Sequence, residues 1–258
     1  MADLQIEGGS LSYDIAGSGD PVVLLHGGAV DRTTWDAEFS ALSATHTVIR
    51  YDARGHGRSS TPDAPFSHWE DLRQLLDGLG VDRASLVGLS QGGRTSVDFA
   101  ISLPDRVDKL LLVAPGVSGM AFHDPFVLDH MARIGSAKDL GTIIECILRM
   151  WVDGPLRSPE DVPYRARCRS IMAEGFARHG NWQRHYTEIG VISRLGELRA
   201  PTLALVGDLD SADIRHVVDL IVKDAPHAHM RVVEGAGHMI NLDQPEEFGR
   251  ILLRYLGH

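Results

Sequence analysis

Residues 85–103 have the sequence SLVGLSQGGRTSVDFAISL, in which Ser90 lies between Gly88 and Gly92. A short apolar run precedes this G-x-S-x-G pattern, and a helix-like stretch begins at Gly92. Such a context puts the serine on a sharp turn between a strand and a helix, with its hydroxyl at the tip of the strand. The glycines allow neighbouring backbone to pass close to a strained residue. The stretch therefore predicts a nucleophilic serine, the alternative being an ordinary helix N-cap.

Short apolar runs recur along the chain and alternate with helix-like stretches. The strand-like runs are Pro21–Leu25, Thr47–Tyr51, Ser85–Gly88, Leu110–Val113, Thr202–Val206 and Met230–Val233. Most of them are almost entirely apolar, as expected for strands buried on both faces. The predicted helices are Thr34–Ser43, Trp69–Leu79, Gly92–Leu103, Ile214–Asp224 and Pro245–Leu256. This alternation predicts an α/β fold with a mostly parallel sheet and helices on both faces.

Two regions depart from the alternation. Leu4–Ile6 and Leu11–Ile15 flank two glycines and predict an antiparallel hairpin at the sheet edge. Residues 115–198 contain no convincing buried strand and instead carry helical stripes of apolar residues: Ile143, Ile144, Ile147, Leu148 and Trp151, then Tyr164, Cys168, Ile171 and Met172. We therefore predict a core domain over 1–114 and 199–258, with an inserted helical cap over 115–198. Because parallel sheets bind ligands at the carboxyl ends of their strands, the cap is expected to be a lid there; the alternative is a purely stabilising insertion.

Two consecutive glycines follow the first parallel strand, in His26-Gly27-Gly28. They leave backbone N–H groups free to point into a site, and the transition state of acyl transfer needs such donors for its oxyanion. We expect the N–H groups of Gly28 and of Gln91, the residue after the serine, to form this pair. A plain glycine turn is the alternative, and His26 itself is expected to be a hydrogen-bonded structural residue.

The last two strand-like runs end in residues that suit a general base and its partner. Gly207-Asp208-Leu209-Asp210 follows one run, and Gly235-Ala236-Gly237-His238 follows the other. His238 can take the serine proton and return it to the leaving group, while a buried aspartate holds the imidazole in the required tautomer. Asp208 and Asp210 are both candidates for that aspartate.

Charged residues elsewhere have two interpretations each. Asp52–Ser59 (DARGHGRS) is expected to be a structural loop in which Asp52 pairs with the arginines, rather than a substrate loop or a source of catalysis by His56. In the cap, four arginines either meet a substrate carboxylate or lie on solvated helix faces. These are Arg133, Arg149, Arg165 and Arg169.

Composition and charge narrow the class of protein. The 258 residues are 43% hydrophobic and 23% charged, as in an ordinary globular protein. Lys and Arg total 25 against 35 Asp and Glu, and the resulting net charge of −10 disfavours a nucleic-acid partner. Neither a signal peptide nor a membrane-spanning apolar run is visible, and two cysteines, Cys146 and Cys168, suit a reducing compartment. We therefore expect a cytoplasmic protein without membrane contact, and the sequence allows a homodimer.

Together these motifs resemble the α/β-hydrolase fold superfamily, and within it the group of 3-oxoadipate enol-lactonases, carboxylesterases and cofactor-free haloperoxidases. The resemblance rests on HGG at 26–28, DARGHGRS at 52–59, GLSQGG at 88–93, GDLD at 207–210 and GAGHMINLDQPEEF at 235–248. It implies a triad of Ser90, Asp210 and His238. In members of this superfamily, the acid usually lies three residues after the strand-ending glycine, which favours Asp210 over Asp208 and Asp213.

The resemblance also implies an oxyanion hole formed by Gly28 and Gln91, although the enol-lactonase group often has methionine where this chain has Gln91. The expected activity is hydrolysis of a small ester or lactone through an acyl-serine intermediate. Apolar cap residues favour an apolar substrate portion, and we expect Trp35, Trp151 and Met239 to contact it.

No metal or other cofactor is expected, because the sequence contains no ligand cluster and no phosphate-binding loop. A serine at the turn between strand and helix argues against dehalogenases and epoxide hydrolases, which have an aspartate at this position. The alternatives are a C–C bond hydrolase or cofactor-free perhydrolase using the same triad, and a small-ligand receptor that keeps the hydrolase fold.

Overall fold

A computed structural model describes residues 1–180 and 185–257 of the chain. Eight strands of this part form one sheet: β1 (Ala2–Ile6), β2 (Gly9–Ala16), β3 (Pro21–Leu25), β4 (Thr47–Tyr51), β5 (Ala84–Leu89), β6 (Val107–Val113), β7 (Thr202–Gly207) and β8 (Ala228–Val233). Their spatial order is β1-β2-β4-β3-β5-β6-β7-β8. β2 pairs antiparallel with β1 and β4, and all other pairs are parallel. The predicted mostly parallel sheet and its edge hairpin are confirmed.

Burial along the strands follows their position in the sheet. All six residues of β5 are buried, because the strand lies near the middle and is covered on both faces. The run 230–233 is apolar except for Arg231, yet the four central residues of β8 are exposed. β8 is an edge strand, so burial on both faces does not extend to it.

Helices connect the strands: α1 (Asp36–Leu42), α2 (His68–Gly78), α3 (Gln91–Ser102), α4 (Pro125–Ser136), α5 (Leu140–Leu148), α6 (Arg165–His179), α7 (Ala212–Asp224), α8 (Ile240–Asp243) and α9 (Pro245–Leu256). α3 packs on β3, β5 and β6, and α7 packs on β7 and β8. The first predicted helix is shorter than expected, because residues Arg32–Trp35 form a 3-10 turn that Asp31 caps by accepting a hydrogen bond from the Thr33 N–H.

The location of the site follows from the strand order around β3. From β3 the chain crosses to β4 on one side, and it then returns to β5 on the other side of β3. Strand order reversing in this way opens a crevice at the carboxyl ends of the two central strands. The loops that follow β3 and β5 therefore start side by side, with Leu25 paired to Gly88.

Between β6 and β7 lie α4, α5 and α6 together with short 3-10 turns, and no strand occurs there within residues 114–180 and 185–201. This region contacts the core at several points: Tyr186 forms a parallel β-bridge with Phe66, and Arg157 and Tyr164 both bond to Asp243. A π-helical turn, Arg149–Asp153, continues α5. Such turns occur frequently at functional sites.

Candidate active site

The turn after β5 forces Ser90 into a strained backbone conformation, with φ of 53° and ψ of −108°. A Cβ on Gly92 would overlap the carbonyl oxygen of Leu25, and one on Gly88 would overlap the backbone of Gly92. Both glycines are therefore needed for close backbone approach, in agreement with the G-x-S-x-G pattern. α3 begins at Gln91, so the serine stands at the positive end of that helix.

His238 and Asp210 form a buried pair at the ends of β7 and β8. The Nδ1 atom of His238 lies 2.9 Å from Asp210 Oδ2, and the two side chains are 2% and 1% exposed. The other Asp210 oxygen, Oδ1, accepts a hydrogen bond from the Ser211 N–H at 2.7 Å. A carboxylate at Nδ1 holds the proton on that nitrogen and leaves Nε2 as the basic atom.

The Nε2 atom of His238 is buried and has no hydrogen-bond partner among the described residues. His238 and Ser90 line the same cavity, so the imidazole faces the space into which the serine projects. Asp208, the other candidate acid, is exposed, and its backbone N–H donates to the Val233 carbonyl. Asp213 accepts hydrogen bonds from the His123 and Asp124 N–H groups and acts as a link to the segment before α4.

Gly28 and Gln91, the predicted oxyanion donors, line this cavity together. A Cβ on Gly28 would lie 3.3 Å from Gln91 Oε1, and one on Gly27 would lie 3.6 Å from the Ser90 Cβ. The two loops therefore pass close to each other beside the serine, with little space for a side chain at either glycine. Gln91 is the first residue of α3, where backbone N–H groups have no intrahelical acceptor.

The cavity has a volume of about 410 Å³. Its apolar wall is formed by Val30, Met120, Phe122, Ile147, Trp151, Val152, Met172, Ile214 and Met239. Trp151 and Met239 therefore lie where substrate contacts were predicted. Trp35 does not line the cavity: it is fully buried in the core, with its ring 5.9 Å from that of Phe248. Its place in the 3-10 turn before α1 directs the indole into the core instead.

Trp151 makes a contact that the sequence did not predict. Its ring centroid lies 4.8 Å from that of His238, and on another side 5.9 Å from that of Phe122. Trp151 belongs to the π-helical turn after α5. An element between β6 and β7 thus covers the imidazole directly, besides lining the cavity.

The remaining polar motifs are structural. The Nε2 atom of His26 accepts a hydrogen bond from the Ala53 N–H at 2.9 Å. Asp52 pairs with Arg32 and accepts from the Arg58 N–H, so the expected ion pairs between Asp52 and the arginines of its own loop do not form. Arg54 pairs with Asp71 on α2 instead. From its own loop, Asp52 receives a backbone N–H, and the guanidinium that it pairs with comes from Arg32, in the 3-10 turn before α1.

His56 is buried, and this burial lowers its pKa well below the usual range. Three of the four arginines considered as carboxylate ligands are paired within the region between β6 and β7. Arg149 pairs with Asp153, Arg165 with Asp153 and Glu145, and Arg169 with Glu145.

Two charged residues that line the cavity, Arg94 and Glu188, were not predicted from the sequence. Arg94 is one helical turn after Ser90 on α3, and Glu188 follows the bridge at Tyr186. The spacing of four residues from the serine is a signal that could have indicated Arg94, but its partner Glu188 is distant in the sequence. Only the fold brings the two together.

A profile of the family described as alpha/beta hydrolase fold matches residues 20–245. The chain therefore belongs to the alpha/beta hydrolase fold family, and the resemblance drawn from the motifs is confirmed.

Individual relatives show how broad the family's chemistry is. A 2-hydroxy-6-oxononadienedioate/2-hydroxy-6-oxononatrienedioate hydrolase of Paraburkholderia phymatum is 28% identical over 98% of this chain and 93% of its own length. The solved structure of Est816, an N-acyl homoserine lactone degrading enzyme, is 25% identical and covers 99% of this chain and 100% of its own, with a TM-score of 0.80. The enol-lactonase from Burkholderia xenovorans covers 100% of both chains with a TM-score of 0.81, and at 23% identity it shows a shared fold.

The described residues also bear on metal ions and on membranes. Within residues 1–180 and 185–257, no group of three or more His, Cys, Asp or Glu side chains is arranged to hold a metal ion. In the same part of the chain, no helix combines the length and the apolar character that crossing a membrane requires.

Proposed function

We propose that this protein hydrolyses small carboxylic esters or lactones through an acyl intermediate on Ser90. The observation that carries the proposal is the buried His238–Asp210 pair, in which His238 lines the same cavity as the strained Ser90 and its Nε2 atom is not used by another described residue. A serine nucleophile is activated by an oriented base of this kind beside it.

In the proposed reaction, Ser90 Oγ attacks the carbonyl carbon while His238 Nε2 takes the hydroxyl proton. The negative charge on the carbonyl oxygen is stabilised by the N–H groups of Gly28 and Gln91. The imidazolium, held by Asp210, then gives its proton to the leaving oxygen, and the acyl group remains on Ser90. Water attacks this ester, passes a proton to His238, and the acid is released as Ser90 regains its hydrogen.

The walls of the cavity favour a small substrate with an apolar portion. About 410 Å³ falls within the usual range for small-molecule sites, and most side chains around the cavity are apolar. The similarity to a lactone-degrading enzyme is consistent with a cyclic ester, in which the leaving alcohol stays attached to the acyl chain.

A second candidate is hydrolysis of a C–C bond next to a ketone, using the same residues. It is favoured by the similarity to the dioate hydrolase of Paraburkholderia phymatum, which extends over almost the whole chain. Here the leaving group is a carbanion equivalent, which needs a proton at carbon rather than at oxygen.

The test is a hydrolysis screen with purified protein over aryl esters of increasing acyl length, lactones of increasing ring size and a vinylogous 1,5-diketone, with Ser90→Ala as control. We expect multiple turnovers on short esters or lactones and none with Ser90→Ala. Turnover of the diketone alone would favour the C–C hydrolase. Saturable binding without turnover of any substrate would favour a receptor and contradict the proposal.

A further inference from the structure

The cavity contains an ion pair that the triad chemistry does not use. Arg94 Nη1 donates to Glu188 Oε1 at 2.6 Å, and Glu188 Oε2 accepts from the Gly119 N–H at 3.0 Å. Together with His238 and Tyr186, these are the ionisable side chains on the cavity wall within the described part of the chain. The Arg94 and Glu188 side chains are 22% and 40% exposed, and a solvent-accessible ion pair contributes little to stability.

The guanidinium is held in a fixed orientation with hydrogen-bonding capacity left over. Its Cζ lies 4.6 Å from the centre of the Tyr186 ring, in a cation–π contact. Nη1 is used by Glu188, while Nε is buried and has no hydrogen-bond partner among the described residues. A buried donor without an acceptor is destabilising, and a guanidinium edge suits a carboxylate.

Arg94 is also close to the reacting centre. Its backbone N–H donates to the Ser90 carbonyl at 3.0 Å, which fixes its Cα one helical turn from the serine. A group bound to its side chain is therefore within a few bonds of an acyl carbon on Ser90.

We propose that Arg94 is a specificity-determining residue that binds a carboxylate carried by the substrate, and that Glu188 orients it and limits its affinity. The inference rests on the proposed hydrolysis at Ser90 and names the class of substrate: an ester or lactone with a free carboxylate beside an apolar portion. Glu188 holds one edge of the guanidinium and opposes a second anion, so it keeps binding moderate.

The test uses matched neutral and anionic substrates. One pair carries the charge on the acyl side, an aryl pentanoate against the aryl hemiglutarate, and the other carries it on the leaving group, phenyl acetate against 4-carboxyphenyl acetate. We expect Arg94→Gln to lower the anionic-to-neutral ratio of kcat/KM in one pair by roughly 10- to 100-fold, mainly through KM. Glu188→Gln should raise the same ratio several-fold, and Arg94→Lys should restore part of it.

Arg250→Gln is the matched control, because Arg250 is exposed on α9 and pairs with Glu247, away from the cavity. Binding of the anionic ester to Ser90→Ala, measured by calorimetry, tests the carboxylate site without turnover, and adding Arg94→Gln should weaken it to the same extent. Unchanged ratios in both pairs overturn the inference, as does an equal loss on all substrates with a lowered melting temperature. Hydrolysis that survives in Ser90→Ala overturns the proposed function instead.

Discussion

At the scale of single residues, the site depends on one strained backbone position that is fixed from both sides. The Ser90 N–H donates to Val113, and the Ser90 carbonyl accepts from Arg94 and Gly116. A non-glycine residue at such a conformation costs about 1–3 kcal/mol, so it persists only where its surroundings determine it. These bonds hold the nucleophile in place before any substrate binds.

The two aspartates after β7 provide the sharpest test of the triad. Asp210→Asn should lower kcat by about 10³- to 10⁴-fold with the fold intact, because an amide stabilises the wrong tautomer of His238. Asp208→Asn, at an exposed position, should change kcat less than about threefold. Steady-state kinetics with one aryl ester, and circular dichroism of both variants, check this. A larger loss in Asp208→Asn would contradict the assignment of the acid.

The sequence was most informative where a residue follows directly from a strand end. The strand-end positions of Ser90, His238 and the two aspartates predicted that they meet, because parallel strands bring their carboxyl ends to one edge of the sheet. The preference for Asp210 over Asp208 came from the family resemblance. The sequence was least informative where two distant segments meet. The pairing of Arg94 with Glu188 depends on how the segment between β6 and β7 packs on the core, and the burial of Trp35 depends on how α9 packs there. Neither kind of packing produces a local sequence pattern.

At the scale of elements, the π-helical turn after α5 links the residues between β6 and β7 to the chemistry. Arg149–Asp153 places Trp151 against the imidazole of His238 and in the cavity wall. Helical spacing predicted the apolar stripe that ends in Trp151, but a π turn shifts the register of a helix by one residue, and this could not be predicted from the spacing.

Truncating this indole should affect binding and reactivity together. We expect Trp151→Ala to raise KM for an aryl hexanoate more than for an aryl acetate, because apolar wall area is lost. The kcat for the acetate should also fall several-fold, since water gains access to His238. Leu156→Ala, at a 67% exposed position in the same region, is the control and should leave both unchanged. Equal losses on both esters with a lowered melting temperature would indicate a destabilised fold.

The elbow and α9 offer a matched pair of glycine substitutions. Gly92→Ala should destabilise by at least about 1–3 kcal/mol, because the added methyl overlaps the Leu25 carbonyl where β3 ends. Gly249→Ala, in the interior of α9 with no atom within 4 Å of the added Cβ, should stabilise by up to about 1 kcal/mol. Urea unfolding of the two variants measures both effects. A stable Gly92→Ala protein would mean that β3 and α3 approach less closely.

At the scale of the whole molecule, the sheet could be predicted almost completely, since strands buried on both faces are recognisable from composition alone. The burial of ionisable groups by long-range packing could not be predicted from the sequence. Glu38 of α1 is buried, and this desolvation raises its pKa to about 7, against the smaller opposing effects of Asn241 and Arg167. Between about pH 4.5 and pH 7, the folded protein therefore keeps a proton on Glu38 that the unfolded chain has released.

A raised carboxyl pKa contributes stability at low pH that is lost as the pH rises through about 7. Glu38→Gln mimics the protonated form, so its free energy of unfolding should match that of the parent near pH 4, below the unfolded pKa, and exceed it near pH 9 by up to about 3 kcal/mol. Buried His56 and His68 titrate in the opposite direction, but both proteins share them and they cancel in the difference. A constant difference from pH 4 to 9 would contradict the raised pKa of Glu38.

The central claim, that His238 and Asp210 activate Ser90 as a nucleophile, is tested most directly by covalent labelling. The protein is treated with a serine-reactive aryl phosphonate, and the adduct is located by intact mass and peptide mapping. We predict a single adduct, on Ser90, that is absent in Ser90→Ala and forms far more slowly in His238→Ala. A label on any other residue, or no label in a preparation that turns over ester, would contradict the account.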